Sequence, residues 1–209
     1  MKTCVALFVE SDGCYQNLDH VDAWDKNRDA RNFIPSNLPI IAHPPCQLWG
    51  ALAHVNYKRW GGDHNKPGND DGLFKFALES VFISGGVLEH PITSQAFKHY
   101  GISKPTNPGW NFRSNYWICE VWQSAYGHLA NKATCLLYVG KVPPFQLDWS
   151  RPKGSHQVGM PSSKSNNKPS LNKKQANATP CLFRDMLINL AIHSKGCPLE
   201  SKCKSQLTA

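Results

Sequence analysis

Leu38-Pro39-Ile40-Ile41-Ala42-His43-Pro44-Pro45-Cys46-Gln47 is the stretch from which the fold is read. Three consecutive apolar residues stop at a polar loop that two prolines stiffen, which is the pattern of a short buried strand delivering a loop to one edge of a sheet. The same pattern occurs three more times. Val5 to Val9 runs into Glu10-Ser11-Asp12-Gly13, Val87-Leu88-Glu89 runs into His90-Pro91, and Thr134 to Val139 forms a fourth apolar run. Between them Leu73, Phe76, Ala77, Val81 and Phe82 recur at helical spacing, with Asp70 and Asp71 at the start and Gly85-Gly86 at the end. Trp117, Val121, Trp122 and Ala125 suggest a further helix over 115–125. Leu182, Met186, Leu187, Leu190 and Ala191 predict a last one over 181–195. Alternating strands and helices imply an α/β fold with a mainly parallel sheet.

The chain divides on composition into an α/β core over 1–150, a basic flexible segment over 151–180, the helix of 181–195 packed on the core, and a polar tail over 196–209. The basic segment contains Arg151, Lys153, Lys164, Lys168, Lys173 and Lys174 and no acidic residue. With a formal net charge of +8 over 209 residues, it is the expected contact with a polyanion, DNA first among them, because cations placed against phosphates release condensed counterions. A solvated linker is the competing reading. No apolar run approaches the roughly 20 residues a membrane helix needs, and the N-terminus lacks a signal-peptide pattern, so the expected location is the cytoplasm. The eight cysteines are scattered without a Cys-x-x-Cys pair; His193, Cys197 and Cys203 have an unusual spacing for zinc, and no metal is expected.

In an open α/β sheet, ligands sit beyond the carboxyl ends of the strands. Glu10, Cys46 and Glu89 each follow a buried strand and are the first site candidates. A cysteine becomes a nucleophile when a nearby cation stabilises its thiolate, and His43 is placed to tune it.

Pro45-Cys46-Gln47, Val87-Leu88-Glu89-His90-Pro91, and Tyr126-Gly127-His128-Leu129-Ala130-Asn131-Lys132 followed by the Ala133 to Gly140 strand together resemble, in order and approximate spacing, three blocks of the DNA cytosine-C5 methyltransferases. The resemblance covers roughly Thr3 to Gly140. It is closest to small phage-encoded methyltransferase-like proteins with a His-Pro-Pro-Cys motif, which would place the chain in the host cytoplasm. It implies a truncated Rossmann-like methyltransferase fold and a thiolate, Cys46, that adds to pyrimidine C6. Glu89, raised by burial so that it is protonated or shares a proton, would serve ring N3. Lys132, or else His128, would hold the base, and Trp49, Trp60 or His54 would stack on a flipped base.

For S-adenosylmethionine the resemblance implies a site at Phe8, Glu10 and Gly13, with Asp25 on a ribose hydroxyl. His90 replaces the family's asparagine, Gly13 is the only glycine in the first loop, and the short spacing from Glu10 to Asp25 predicts a shortened or missing first helix. Three functions remain open: a DNA cytosine-C5 methyltransferase, a pyrimidine base- or nucleotide-modifying enzyme with a different donor, or a non-catalytic nucleic-acid-binding protein, such as a phage counter-defence factor, on the same fold.

Overall fold

The computed structural model describes residues 1–50, 52–158 and 168–196. Seven strands form one sheet: β1 (Cys4–Val9), β2 (Val21–Asp25), β3 (Ile40–Ala42), β4 (Gly86–Pro91), β5 (Asn111–Arg113), β6 (Tyr116–Trp122) and β7 (Ala133–Val139), in the spatial order β2-β1-β3-β4-β7-β6-β5. The helices are α1 (Ala53–Trp60), α2 (Leu73–Ser84), α3 (Ala96–His99), α4 (Lys173–Asn177) and α5 (Cys181–His193). The α/β class read from the sequence holds, with α2 on one face of the sheet and α5 on the other.

The continuous apolar runs follow from that sandwiching. Successive side chains of a strand point to opposite faces. In β1, Cys4, Ala6 and Val9 join the α5-side core with Phe183, Leu187 and Leu190, whereas Val5 and Leu7 join the α2-side core with Phe74, Ala77 and Val81. Both sets are buried, so no polar alternation remains to be read. At Gly86, with φ at +124°, β3 and β4 approach so closely that a Cβ would strike the Ile40 carbonyl. The glycine therefore sets the register that places Ala42 opposite Leu88, just before the two candidate loops.

Two expectations are corrected. The sheet is mixed, not mainly parallel: β2, β1, β3 and β4 pair in parallel, but β7 runs antiparallel to β4 and to β6, and β5 runs antiparallel to β6. Only a turn and a short loop join β6 to β7, too little chain for the crossover that a parallel neighbour requires. The helix expected over 115–125 is instead β6. Tyr116, Ile118 and Val121 are buried in a run rich in aromatic and β-branched residues, and that composition overrides the four-residue spacing of Trp117 and Val121.

No helix lies between β1 and β2; residues 10–20 are turns and bends, as the short spacing predicts. The described parts of the 151–180 segment lie on the core. His156 forms a bridge with Ala130, Leu171 is buried, and α4 opens on an Asn172/Gln175 capping box. Lys164 and most of the 196–209 tail, with Cys197 and Cys203, fall outside the described residues. Among the described residues no helix is long and apolar enough to cross a membrane, and no cluster of His, Cys, Asp and Glu is arranged to hold a metal.

Candidate functional site

The loop after β3 and the end of β4 lie side by side, because the strands pair in parallel and in register. They bring Cys46 and Glu89 to the same edge of the sheet. Glu89 is 9% exposed, and its two oxygens have separate partners. Oε1 accepts from Gln123 Nε2 at 3.1 Å, and Oε2 accepts from His43 Nδ1 at 3.1 Å. Gln123 also donates to Thr134 Oγ1 at 3.0 Å. The far nitrogen of His43, Nε2, lies 3.0 Å from the Tyr15 hydroxyl. Burial holds Tyr15 well above its ordinary pKa, so the phenol keeps its proton, and the His43 ring bridges that phenol and the Glu89 carboxylate.

This network fixes the charge of Glu89. Burial pushes the carboxyl pKa up, but the hydrogen bond from His43 and the fields of His43, Lys132 and His90 together outweigh it and hold it below the ordinary value. The resting group is therefore a carboxylate. The proton that the resemblance requires at ring N3 therefore has to reach Glu89 when the base docks.

Cys46 is half-buried. Burial pushes its thiol up, Glu89 pushes it further, and Lys132 pulls it back. His43 is not among the groups acting on it, so the expected tuning runs instead from His43 to Glu89. At rest the pair is a thiol beside a carboxylate, with Lys132 acting on both. Lys132 Nζ donates to the Asn177 carbonyl of α4 at 3.3 Å, which fixes its ammonium near the pair. His128, the other basic candidate, is buried. Its Nδ1 lies 2.9 Å from the Ala130 carbonyl and 3.0 Å from Ala130 N, and burial lowers its pKa.

His90 is 1% exposed, between the rings of Phe74 and Phe97, and neither ring nitrogen has a hydrogen-bond partner. Burial brings its pKa down to about 4. Of the proposed stacking residues, Trp49 is committed to the core: it is 3% exposed and packed on Phe74, and its Nε1 donates to Asp70 Oδ2 at 2.7 Å. The N-cap of α2 is Gly72, which supplies no side-chain bond, but Asp70 just before it accepts from Gly72 N at 3.1 Å and from Phe74 N at 2.9 Å. His54 and Trp60 are exposed on α1.

The β1–β2 end differs. β1 bulges at Phe8, whose φ is +61°, and Val9 then lies opposite Asp25. Asp25 Oδ1 accepts from the backbone of Asn27 at 3.0 Å and of Arg28 at 3.1 Å, and Oδ2 accepts from the Asn27 side chain at 3.3 Å. Both oxygens thus close a local turn. Gly13 N donates to the Glu10 carbonyl at 3.0 Å, and a Cβ on Gly13 would press on that carbonyl, so the glycine serves its own turn. The Glu10 side chain is exposed. Lys174 of α4 pairs with Asp12 of the same loop. These residues do not fit the expected S-adenosylmethionine site, because the acid and the glycine already serve local turns.

Of the basic segment's cations, Arg151 pairs with Glu120 at 3.4 Å, Lys168 donates to the Gly154 carbonyl, and Lys174 pairs with Asp12. Lys153 and Lys173 are exposed. Sequence reasoning missed Gln123 and Tyr15. Gln123 directly follows a buried strand, the same signal that singled out Glu89. Comparison of the chain with protein-family models, with curated proteins and with solved structures finds no match.

Proposed function

We propose that the chain modifies a pyrimidine base by covalent catalysis through Cys46, in the manner of the cytosine-C5 methyltransferases that its sequence resembles, with cytosine in DNA as the first substrate. The observation that carries this reading is that the parallel register of β3 and β4 delivers Cys46 and Glu89 to one sheet edge, with Glu89 held there by Gln123 and His43. On docking of the base, the thiol proton passes to Glu89. Sγ then bonds to ring C6, and Glu89 gives that proton to N3, so the adduct is neutral and C5 becomes nucleophilic. After C5 has taken an electrophile, H5 leaves as a proton, N3 returns its proton, and the Sγ–C6 bond breaks. Gln123 and His43 hold Glu89 in place through both transfers.

The commitments of Asp25 and Gly13 favour a second form of this reading, with the same pyrimidine chemistry but a donor other than S-adenosylmethionine. The test is intact-mass analysis after incubation with DNA containing 5-fluorocytosine, with and without S-adenosylmethionine, beside Cys46→Ser. A Cys46-dependent adduct that requires S-adenosylmethionine supports the methyltransferase form. An adduct without it supports another donor. No adduct under either condition removes the S-adenosylmethionine form, because with any other donor the adduct is trapped only when that donor is present.

A further inference from the structure

Residues 47 to 62, which leave the Cys46 loop, contain no acidic residue, and neither do residues 90 to 119. The two stretches meet at Trp49: its carbonyl accepts from Gln95 N at 2.9 Å, and its ring lies 5.2 Å from that of His99. From that shared anchor each presents cations without an ion-pair partner among the described residues, and Arg59 lies over the Trp60 ring at 5.0 Å. Lys98 and Lys104 line a recess of about 440 Å³ with Gln95 and Ser103, and α1 carries Lys58 and Arg59 in its last turn.

α1 itself has almost no partner in the fold. Of its eight residues only Ala53 is buried, and no side chain caps its start. Leu52 is 69% exposed and Trp60 68%, with Val55 and Tyr57 also exposed. An isolated helix of this length is marginal in water, and among the described residues α1 packs chiefly on the turn of residues 63–65, which leaves its outer face open to a partner. A second copy packed α1 on α1 would bring the Lys58 and Arg59 cations no acidic partner, because α1 carries none. A strand of phosphates and bases instead meets cations with anions and exposed rings with base faces.

We propose that α1 and the Lys98–Lys104 recess form a docking surface for single-stranded nucleic acid beside Cys46, with Trp60 and Tyr57 stacking on bases and Lys58, Arg59, Lys98 and Lys104 on phosphates. The choice of a single strand rests on the rings, because a base in a duplex hides the face that an aromatic side chain stacks on. The choice of nucleic acid over another polyanion rests on the base-modifying reading of Cys46.

The test is fluorescence anisotropy with a labelled single-stranded oligonucleotide and with its duplex, run on the Cys46→Ser chain so that docking is measured apart from chemistry. Tighter binding of the single strand is expected. Trp60→Ala should weaken it about five- to a hundredfold, and Lys58→Ala and Lys104→Ala should each lower the salt slope by about 0.7. The melting temperature should stay unchanged, because these side chains lie outside both cores. Absence of binding, a duplex bound as tightly as the single strand, or Trp60→Ala without effect would overturn the proposal. So would a dimer in sedimentation that Trp60→Ala dissolves, because a second copy would then be what covers α1. Loss of the 5-fluorocytosine adduct with docking intact would overturn only the S-adenosylmethionine form of the chemistry at Cys46.

Discussion

The carboxyl ends of β3 and β4 and the carboxyl ends of β1 and β2 are built from the same material, short buried strands ending in polar loops, yet they use their polar groups differently. At the first end, side-chain donors from two separate parts of the chain, His43 and Gln123, converge on Glu89 within the field of Lys132, and Glu89 and Lys132 act in turn on Cys46. At the second end, Asp25 serves the amides of Asn27 and Arg28 and Gly13 serves the Glu10 carbonyl, each bond closing within three residues. Long-range convergence on a reactive atom costs conformational entropy and is the usual mark of a site. Local closure of a turn is what any loop requires.

The largest effects should therefore fall at one end alone. Cys46→Ala should abolish base chemistry, and Glu89→Gln should slow it by about a hundred- to ten-thousandfold, the usual worth of a positioned proton donor. Asp25→Asn should leave the rate within about twofold when turnover is followed beside both variants. A rate that collapses in Asp25→Asn would erase the difference between the two ends.

The next effect concerns His90, behind the Cys46 loop. Its pKa of about 4 in the fold lies below the ordinary imidazole value near 6.5, so the unfolded chain binds more protons between these limits. The stability this residue contributes is complete above pH 6.5 and declines as the pH falls toward 4, by about 3 kcal/mol at order of magnitude. Urea unfolding across that range should show the decline, and His90→Leu should flatten it.

Reactivity of Cys46 sharpens the comparison further. Because Glu89 raises the thiol and Lys132 lowers it, Glu89→Gln should speed alkylation at neutral pH several-fold and Lys132→Met should slow it. Burial, the largest cause, persists in both variants, so neither should reach the rate of a free thiol. Smallest of all, Asp25→Ala should lower the melting temperature slightly through the lost turn bonds.

Much of the frame was legible because β1, β3, β4 and β7 are apolar runs stopped by turn residues, and such runs admit few alternatives. β6 was not, because Trp117 and Val121 satisfy a helical spacing as well as a strand, and only pairing with β7 decides between them. That misreading hid Gln123, which cannot be seen as the polar residue after a strand while the strand is taken for a helix. Cys46 and Glu89 were found by the rule that polar residues following buried strands reach the ligand edge. The charge of Glu89 was not, because it depends on His43, 46 positions away in sequence. The committed state of Asp25 was hidden for a similar reason: a sequence shows an acid after a strand, not which amides it already serves.

The central claim, addition of the Cys46 sulfur to pyrimidine C6, is tested most directly without any donor, by following hydrogen–deuterium exchange at cytosine C5 in heavy water by mass spectrometry. Addition makes C5 basic enough to take a deuteron, and elimination after loss of the original proton leaves the label on the base. The account predicts exchange that the wild-type chain catalyses, that Cys46→Ala abolishes and that Glu89→Gln slows. Exchange no faster than background with cytosine in single-stranded DNA, in duplex DNA and as the free nucleotide, or exchange undiminished in Cys46→Ala, would contradict it.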